Sequence, residues 1–362
     1  MLQCKSLPLA ICGAACLLTI DAGRLAQAQY VDHATEWSGG SVIDLQGLHG
    51  FASSYANSIN EAGQAVGYSF VSGSAQATEW SGGNVIDLVG LPGSTSSYAY
   101  GINSAGQAVG YSFGSGSAHA TEWSGGSVKN LGGLPGTTSS YAYGINNAGQ
   151  VVGYSWGNFL EYATEWKNGS VVKLAALPGA TFPVYSATAI NNAGQVVGDS
   201  SIGGNEYATE WSGGSVKNLG GLPGFTSSYA TGIDSAGDVV GYSVVNDISY
   251  ATEWTGGRII NLGGLPGASF TEAAGINDAG QIVGYSFVGG APYAIEWSGG
   301  SLIKLGLPGS SNNGEAMSVN DAGQVAGFAA YRAVPEPSTW AMLLVGFLVI
   351  VLARFRRAIL VS

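Results

Sequence analysis

The chain has 362 residues, 59 of them glycine, and only 10% are charged. Between Gln29 and Ala333 stand 21 acidic and 7 basic residues, a net of −14, which repels phosphate backbones and argues against nucleic-acid binding. The three cysteines, Cys4, Cys12 and Cys16, all precede residue 29, so the remainder has no thiol for a disulfide, a nucleophile or a Cys-ligated metal.

Residues 1–28 read as a secretory signal peptide. Lys5 gives the positive start, Leu7–Ile20 is an uncharged apolar run, and Ala26-Gln27-Ala28 is a small-x-small cleavage site. A lipoprotein site at Cys16 is the rival reading, but no leucine stands three residues before that cysteine.

From Tyr30 onward two phrases alternate. The first, Gly-Ile-Asn-Asn-Ala-Gly-Gln-Val-Val-Gly-Tyr-Ser at 144–155, recurs with its Gly-Tyr-type ending at Gly67, Gly110, Gly153, Gly198, Gly241, Gly284 and Gly327. The second ends at Trp37, Trp80, Trp123, Trp166, Trp211, Trp254 and Trp297. The steps are about 43 residues, with one of about 45, the period of a four-stranded propeller blade. Each unit reads as four strands, exemplified by Ser140–Asn146, Gln150–Ser155, Tyr162–Trp166 and Ser170–Leu174. Gly149 supplies the positive φ of a three-residue hairpin with a bulge.

The chain enters with a Thr-Glu-Trp half and leaves with an Asn-x-Ala-Gly-Gln half. Together they make a seventh unit. A propeller uses complementary halves to close its ring, whereas an open solenoid leaves edge strands exposed. The sequence therefore predicts an all-β, seven-bladed β-propeller over residues 29–331, with a β-solenoid as the alternative.

The repeats resemble the extracellular HAF-repeat family, on Asn146–Ser155, Ala163–Trp166 and Leu131-Gly132-Gly133-Leu134-Pro135-Gly136. Thr replaces that family's Phe throughout most copies, and only His33 and His119 keep its histidine. The resemblance implies a secreted repeat domain with no assigned catalytic activity.

Residues 332–339 form a linker carrying Pro335-Glu336-Pro337, and 340–362 a hydrophobic segment with a basic end. The apolar run Trp340–Ala353 would span about 21 Å as a helix, short of a hydrocarbon core of about 30 Å. Arg354, Arg356 and Arg357 follow it and place the C-terminus in the cytoplasm. Pro335, Glu336, Pro337 and these arginines resemble the PEP-CTERM sorting signal of exosortase-bearing Gram-negative bacteria. That implies exosortase as partner, transient contact with the inner membrane, and a final place at the cell surface or outside. A GPI signal is the weaker alternative, since such tails do not end in a basic cluster.

No residue set reads as catalytic. The repeated glutamates, one per third strand, are too far apart for a metal and read as structural hydrogen-bonding groups to backbone or hydroxyl. The repeated Asn60, Asn103 and Asn146 series caps hairpin turns. The tryptophans read as packing between blades. No cofactor and no metal is called for. One blade departs from the rest. Its 2–3 loop, Trp156–Tyr162, carries Trp156 and Phe159, and the crossing after it holds a two-residue insertion with Phe182, Pro183 and Tyr185. Trp156, Phe159, Phe182 and Tyr185 are expected to form an exposed aromatic patch for a sugar ring or a partner. The expectation is a secreted, non-enzymatic surface or matrix protein binding exopolysaccharide or another protein in a biofilm. The alternatives are a propeller glycan lyase or hydrolase, which would need acid and base groups converging near the axis from different blades, and a structural or adhesive solenoid.

Overall fold

The computed structural model describes residues 30–49, 53–180, 185–308 and 313–332. These residues form twenty-eight strands, from β1 (Tyr30–Ser38) to β28 (Val325–Arg332), in seven four-stranded antiparallel sheets. Six blades are continuous in sequence: blade 1 (54–87), blade 2 (96–130), blade 3 (139–173), blade 4 (185–218), blade 5 (227–261) and blade 6 (268–304). Blade 7 takes β1 and β2 (Ser41–Asp44) from one end and β27 (Gly314–Val319) and β28 from the other, in the order β2-β1-β28-β27. The two orphan halves close the ring as the sequence predicts, and the solenoid is excluded.

Blade 3 shows the local rules. Its strands are β11 (Ser139–Ile145), β12 (Val151–Gly157), β13 (Leu160–Lys167) and β14 (Ser170–Lys173). The first hairpin turns at Asn146–Gly149, with Gly149 at φ 73° and its N–H donating to the Asn146 carbonyl at 3.0 Å. A second irregularity was not legible. The register shifts between Ala142 and Gly144, so Tyr143 is an extra, bulged residue on the innermost strand. Every blade repeats this shift. The bulge explains the fixed glycine of the Val-Gly-Tyr phrase: a Cβ on Gly153 would lie 1.9 Å from the Tyr141 carbonyl oxygen.

The core lies between blades. Trp123 packs with Ala99, Ile102 and Ala108 of its own blade against Val66 and Ala77 of blade 1. Its indole N–H donates to the Val89 carbonyl at 2.9 Å, on the crossing out of blade 1. The corresponding indoles of Trp80, Trp166 and Trp254 do the same. The tryptophans are interblade packing, as read from the sequence.

Near the axis a second belt joins the blades. The Asn60 side-chain amide donates to the Asn103 carbonyl of the next blade at 3.0 Å, while its oxygen accepts the Ala62 and Gln64 N–H groups of its own turn. The same interblade bond runs from Asn103, Asn146, Asn191 and Asn277, and Asn320 closes the circle onto Asn60 at 2.9 Å. Only blade 5 lacks it, because Asp234 has no amide to donate. The repeated glutamates join this belt: Gln150 donates to Glu165 at 2.9 Å and Gln64 to Glu79 at 3.0 Å. The role is structural as expected, but the partner is a glutamine side chain rather than backbone or hydroxyl.

Candidate functional site

The seven innermost strands surround an axial channel. On the face of the 1–2 turns its mouth is lined by the asparagine belt and the residue after it, a space of about 340 Å³. A ring of Ile59, Ile102, Ile145, Ile190, Ile233, Ile276 and Val319 follows. The opposite mouth, on the face of the 2–3 turns, widens into a funnel of about 460 Å³ lined by Asn57, Tyr100, Tyr143, Tyr154, Glu161, Ser186, Thr188, Thr231, Glu272, Tyr285 and Met317, among others.

Two features of the repeat build this funnel. The first is the bulge, which re-aims one side chain per blade toward the axis. Those residues are Asn57, Tyr100, Tyr143, Thr188, Thr231, Ala274 and Met317, and they vary where the neighbouring core does not. Thr188 and Thr231 turn their hydroxyls to carbonyls of the next blade at 2.7 and 2.9 Å. The second is a cross-strand pair on the inner two strands, Tyr55 with Tyr68, Tyr98 with Tyr111, and Tyr141 with Tyr154. Within each pair the rings stack at 4.6–5.1 Å, and between blades they meet edge-on, Tyr68 with Tyr98 at 5.0 Å and Tyr111 with Tyr141 at 4.9 Å. Blades 1 to 3 thus carry an unbroken aromatic crescent.

Blade 5 repeats the pair as Tyr229 with Tyr242, stacked at 4.8 Å, whereas blades 4, 6 and 7 break it. Blade 4 has Ser186 with Asp199, blade 6 Glu272 with Tyr285, and blade 7 Glu315 with Phe328. One position on the third strand adds Asp32, Glu161 and Glu206. Asp32 accepts from the Tyr55 hydroxyl at 2.9 Å, Asp199 from Ser186 at 3.0 Å, and Glu272 from Tyr285 at 2.6 Å. No lysine or arginine lines the funnel among the described residues. Burial pushes Asp199 up to about 7, with Glu206 and Glu161 adding repulsion. Glu315 is likewise raised to about 7, by burial first and then by Glu272 and Asp32. Burial also raises Glu161 and Glu206. Tyr143 is held far above the ordinary phenol range, by burial and then by its neighbour Tyr154. The funnel wall combines tyrosine rings with the carboxyl groups of Glu161 and Glu272, and no cation among the described residues lines it. No group of three or more His, Cys, Asp or Glu among the described residues is arranged to hold a metal ion.

The residues predicted from sequence fall unequally on this site. Trp156 and Phe159 are 37% and 89% exposed, with ring centroids 6.3 Å apart and edge-on. Trp156 stands opposite Glu161 across the strand pair, two residues beyond Tyr154 on the same strand. The 2–3 connections are tighter than expected. That of blade 3 is the two-residue turn Asn158-Phe159, at φ 55° and 63°, and most of the predicted loop is strand. Both central residues of such a turn need positive φ, so Phe159 occupies a conformation unusual for a bulky residue. Tyr185 is not part of the patch. It is 1% exposed, because it sits where other blades place a buried serine, opposite Ser200, and its ring meets Tyr162 edge-on at 6.2 Å. Phe182 lies outside the described residues. The funnel carboxylates were missed. Aligning the copies on the Gly-Tyr-Ser phrase would have flagged Asp199, which interrupts an otherwise aromatic column.

With this geometry in place, comparison with known proteins adds the address. Residues 333–357 match the PEP-CTERM protein-sorting motif. The match spans Pro335, Glu336, Pro337, Arg354, Arg356 and Arg357. A PEP-CTERM signal marks a protein that is exported across the inner membrane and sorted by an exosortase to the cell surface or the extracellular space. The signal itself, like residues 1–28, lies outside the described residues, among which no helix is long and apolar enough to cross a membrane. No curated protein matches the chain. Among solved structures it is similar to a protein described as TolB from Agrobacterium tumefaciens, at 11% identity over 84% of this chain and 100% of that one, with a TM-score of 0.50. A Mycobacterium tuberculosis puromycin-hydrolyzing peptidase matches at 11% identity and TM-score 0.50, over 81% of this chain and 54% of that one. TolB from Acinetobacter baumannii matches at 12% identity and TM-score 0.48, and this chain spans 62% of its length. These likenesses concern the fold.

Proposed function

We propose that the propeller is a non-catalytic ligand-binding domain displayed at the cell surface or in the extracellular matrix, and that its ligand is exopolysaccharide. The site is the funnel together with Trp156 and Phe159. One observation carries this reading. The repeats keep their packing residues nearly unchanged, yet the funnel lining departs from sevenfold symmetry in blades 4, 6 and 7. Packing explains repetition; a ligand explains where repetition stops. Aromatic faces suit sugar rings and carboxylates accept from hydroxyl and amine groups. The resemblance of the repeats to the extracellular HAF-repeat family and the sorting signal both support a role outside the inner membrane.

The test is a glycan array probed with the purified propeller, with Tyr143→Ala as the site variant. Binding to a defined glycan class that the variant loses is the expected result. A blank array, with a protein partner recovered instead, would replace the polysaccharide reading by a protein-binding one. A second reading is cleavage of a glycan, favoured by Glu161 and Glu272, which come from different blades and line one cavity. Release of reducing ends that Glu161→Gln abolishes would establish it.

A further inference from the structure

The geometry points to a ligand class: an amine-bearing glycan, a chain of hexosamine rings with free, protonated amino groups. This inference rests on the binding reading above and narrows it.

The funnel offers two chemistries side by side. Tyr100, Tyr143 and Tyr154 present ring surface from blades 2 and 3, and Trp156 stands two residues beyond Tyr154 on the same strand, opposite Glu161. Such faces take the C–H side of a sugar ring, and they also attract an ammonium group through the ring quadrupole. Glu161 and Glu272 line the same cavity from blades 3 and 6. Asp199 and Glu315 stand on the inner-strand pairs of blades 4 and 7.

Among the described residues no cation neutralises these acids. The seven basic residues between Gln29 and Ala333 are Lys129, Lys167, Lys173, Lys217, Arg258, Lys304 and Arg332, and none lines the funnel. Glu206, at the position equivalent to Glu161 one blade on, has a buried carboxylate oxygen with no hydrogen-bond partner. Glu161 and Glu206 each add to the repulsion felt by Asp199, and Glu272 and Asp32 to that felt by Glu315. A uronic or sulfated glycan would deepen this repulsion. A neutral glycan would leave it untouched. An ammonium on a sugar ring relieves it while the ring stacks on tyrosine. The net charge of the propeller attracts such a polycation over a longer range as well. A simple polyamine has the charge but no ring face, and it leaves the aromatic crescent unused.

The test is calorimetric titration of the exported protein with glucosamine oligomers, N-acetylglucosamine oligomers and spermidine. Glucosamine oligomers should bind. Glu161→Gln and Glu272→Gln should each weaken them roughly tenfold or more, the loss of one charge-assisted contact. Asp278→Asn, at the opposite mouth, should change nothing. The acetylated oligomers and spermidine should bind at least tenfold more weakly. Equal binding of acetylated oligomers would overturn the requirement for an amine. Equal binding of spermidine would overturn the requirement for a ring. Failure of glucosamine oligomers alongside binding of another glycan would overturn this inference and leave the broader reading standing. Failure of every glycan would remove both. Circular dichroism of each variant separates loss of binding from loss of fold.

Discussion

Asp234→Asn should stabilise the propeller. In the six blades that have asparagine here, its amide donates to the next blade's carbonyl at 2.8–3.1 Å and to its own glutamine at 2.8–3.0 Å. Blade 5 has Asp234 and Asp238 instead. The Asp234 carboxylate accepts the Asp238 N–H at 2.8 Å but has nothing to give the Asn277 carbonyl. It is only 7% exposed. Asparagine would restore a neutral bond to Asn277, worth about 1 kcal/mol, and add one to the Asp238 carboxylate, worth about 1.5 kcal/mol or more. With an unfolding entropy of about 2.1 cal/mol/K per residue, a gain of about 2–3 kcal/mol raises Tm by roughly 3–5 °C in a domain of about 300 residues. The gain depends on pH. Burial raises the Asp234 pKa, and once protonated its hydroxyl can donate to Asn277 and rebuild the strut. The advantage of Asp234→Asn should therefore be full at pH 8 and shrink as pH falls through the folded pKa of Asp234. Thermal unfolding at pH 8 and pH 4 measures both. No gain at pH 8, or an equal gain at pH 4, would refute the strut. Asn191→Asp should cost a similar amount at pH 8.

Gly153→Ala should be severely destabilising, by more than about 3 kcal/mol, since the added Cβ meets a backbone oxygen at 1.9 Å; urea denaturation measures it. Stability should rise as pH falls from 8 toward 5. Asp199 and Glu315 have folded pKa values of about 7, above their ordinary values, so the folded state binds more protons in that window. Asp199→Asn should raise Tm at pH 8 and flatten the profile. Intact-mass analysis of protein from its host should show a chain ending near Pro337, and a chain ending at Ser362 in the membrane would leave a plain anchor.

The architecture was legible because period and closure are written in the spacing of Trp37 to Trp297 and in the two half-units. The tryptophan packing and the asparagine turn caps followed from their positions, but the asparagine bond to the next blade did not. The funnel was not legible, for two physical reasons. A bulge at Tyr143 reverses the in–out alternation that sequence reading assumes, so Tyr100, Tyr143 and Thr188 look like ordinary strand positions. The Tyr141–Tyr154 pairing is a contact across strands, visible only once register is known. The break in sevenfold symmetry also sits in columns that a copy-by-copy reading treats as core. Tyr185 was misplaced for a related reason: beside an insertion it looked like loop, but it fills a buried serine position.

The central claim is that a ligand sits in the axial funnel on the face of the 2–3 turns. Hydrogen–deuterium exchange of the exported protein, with and without a bound glycan from the array, tests it most directly. The account predicts new protection in the inner two strands of blades 3, 4 and 6 near Tyr143, Ser186 and Glu272, and none at the asparagine mouth. Protection confined to the outer strands, or to the turns around Asn147 and Asp278, would contradict it.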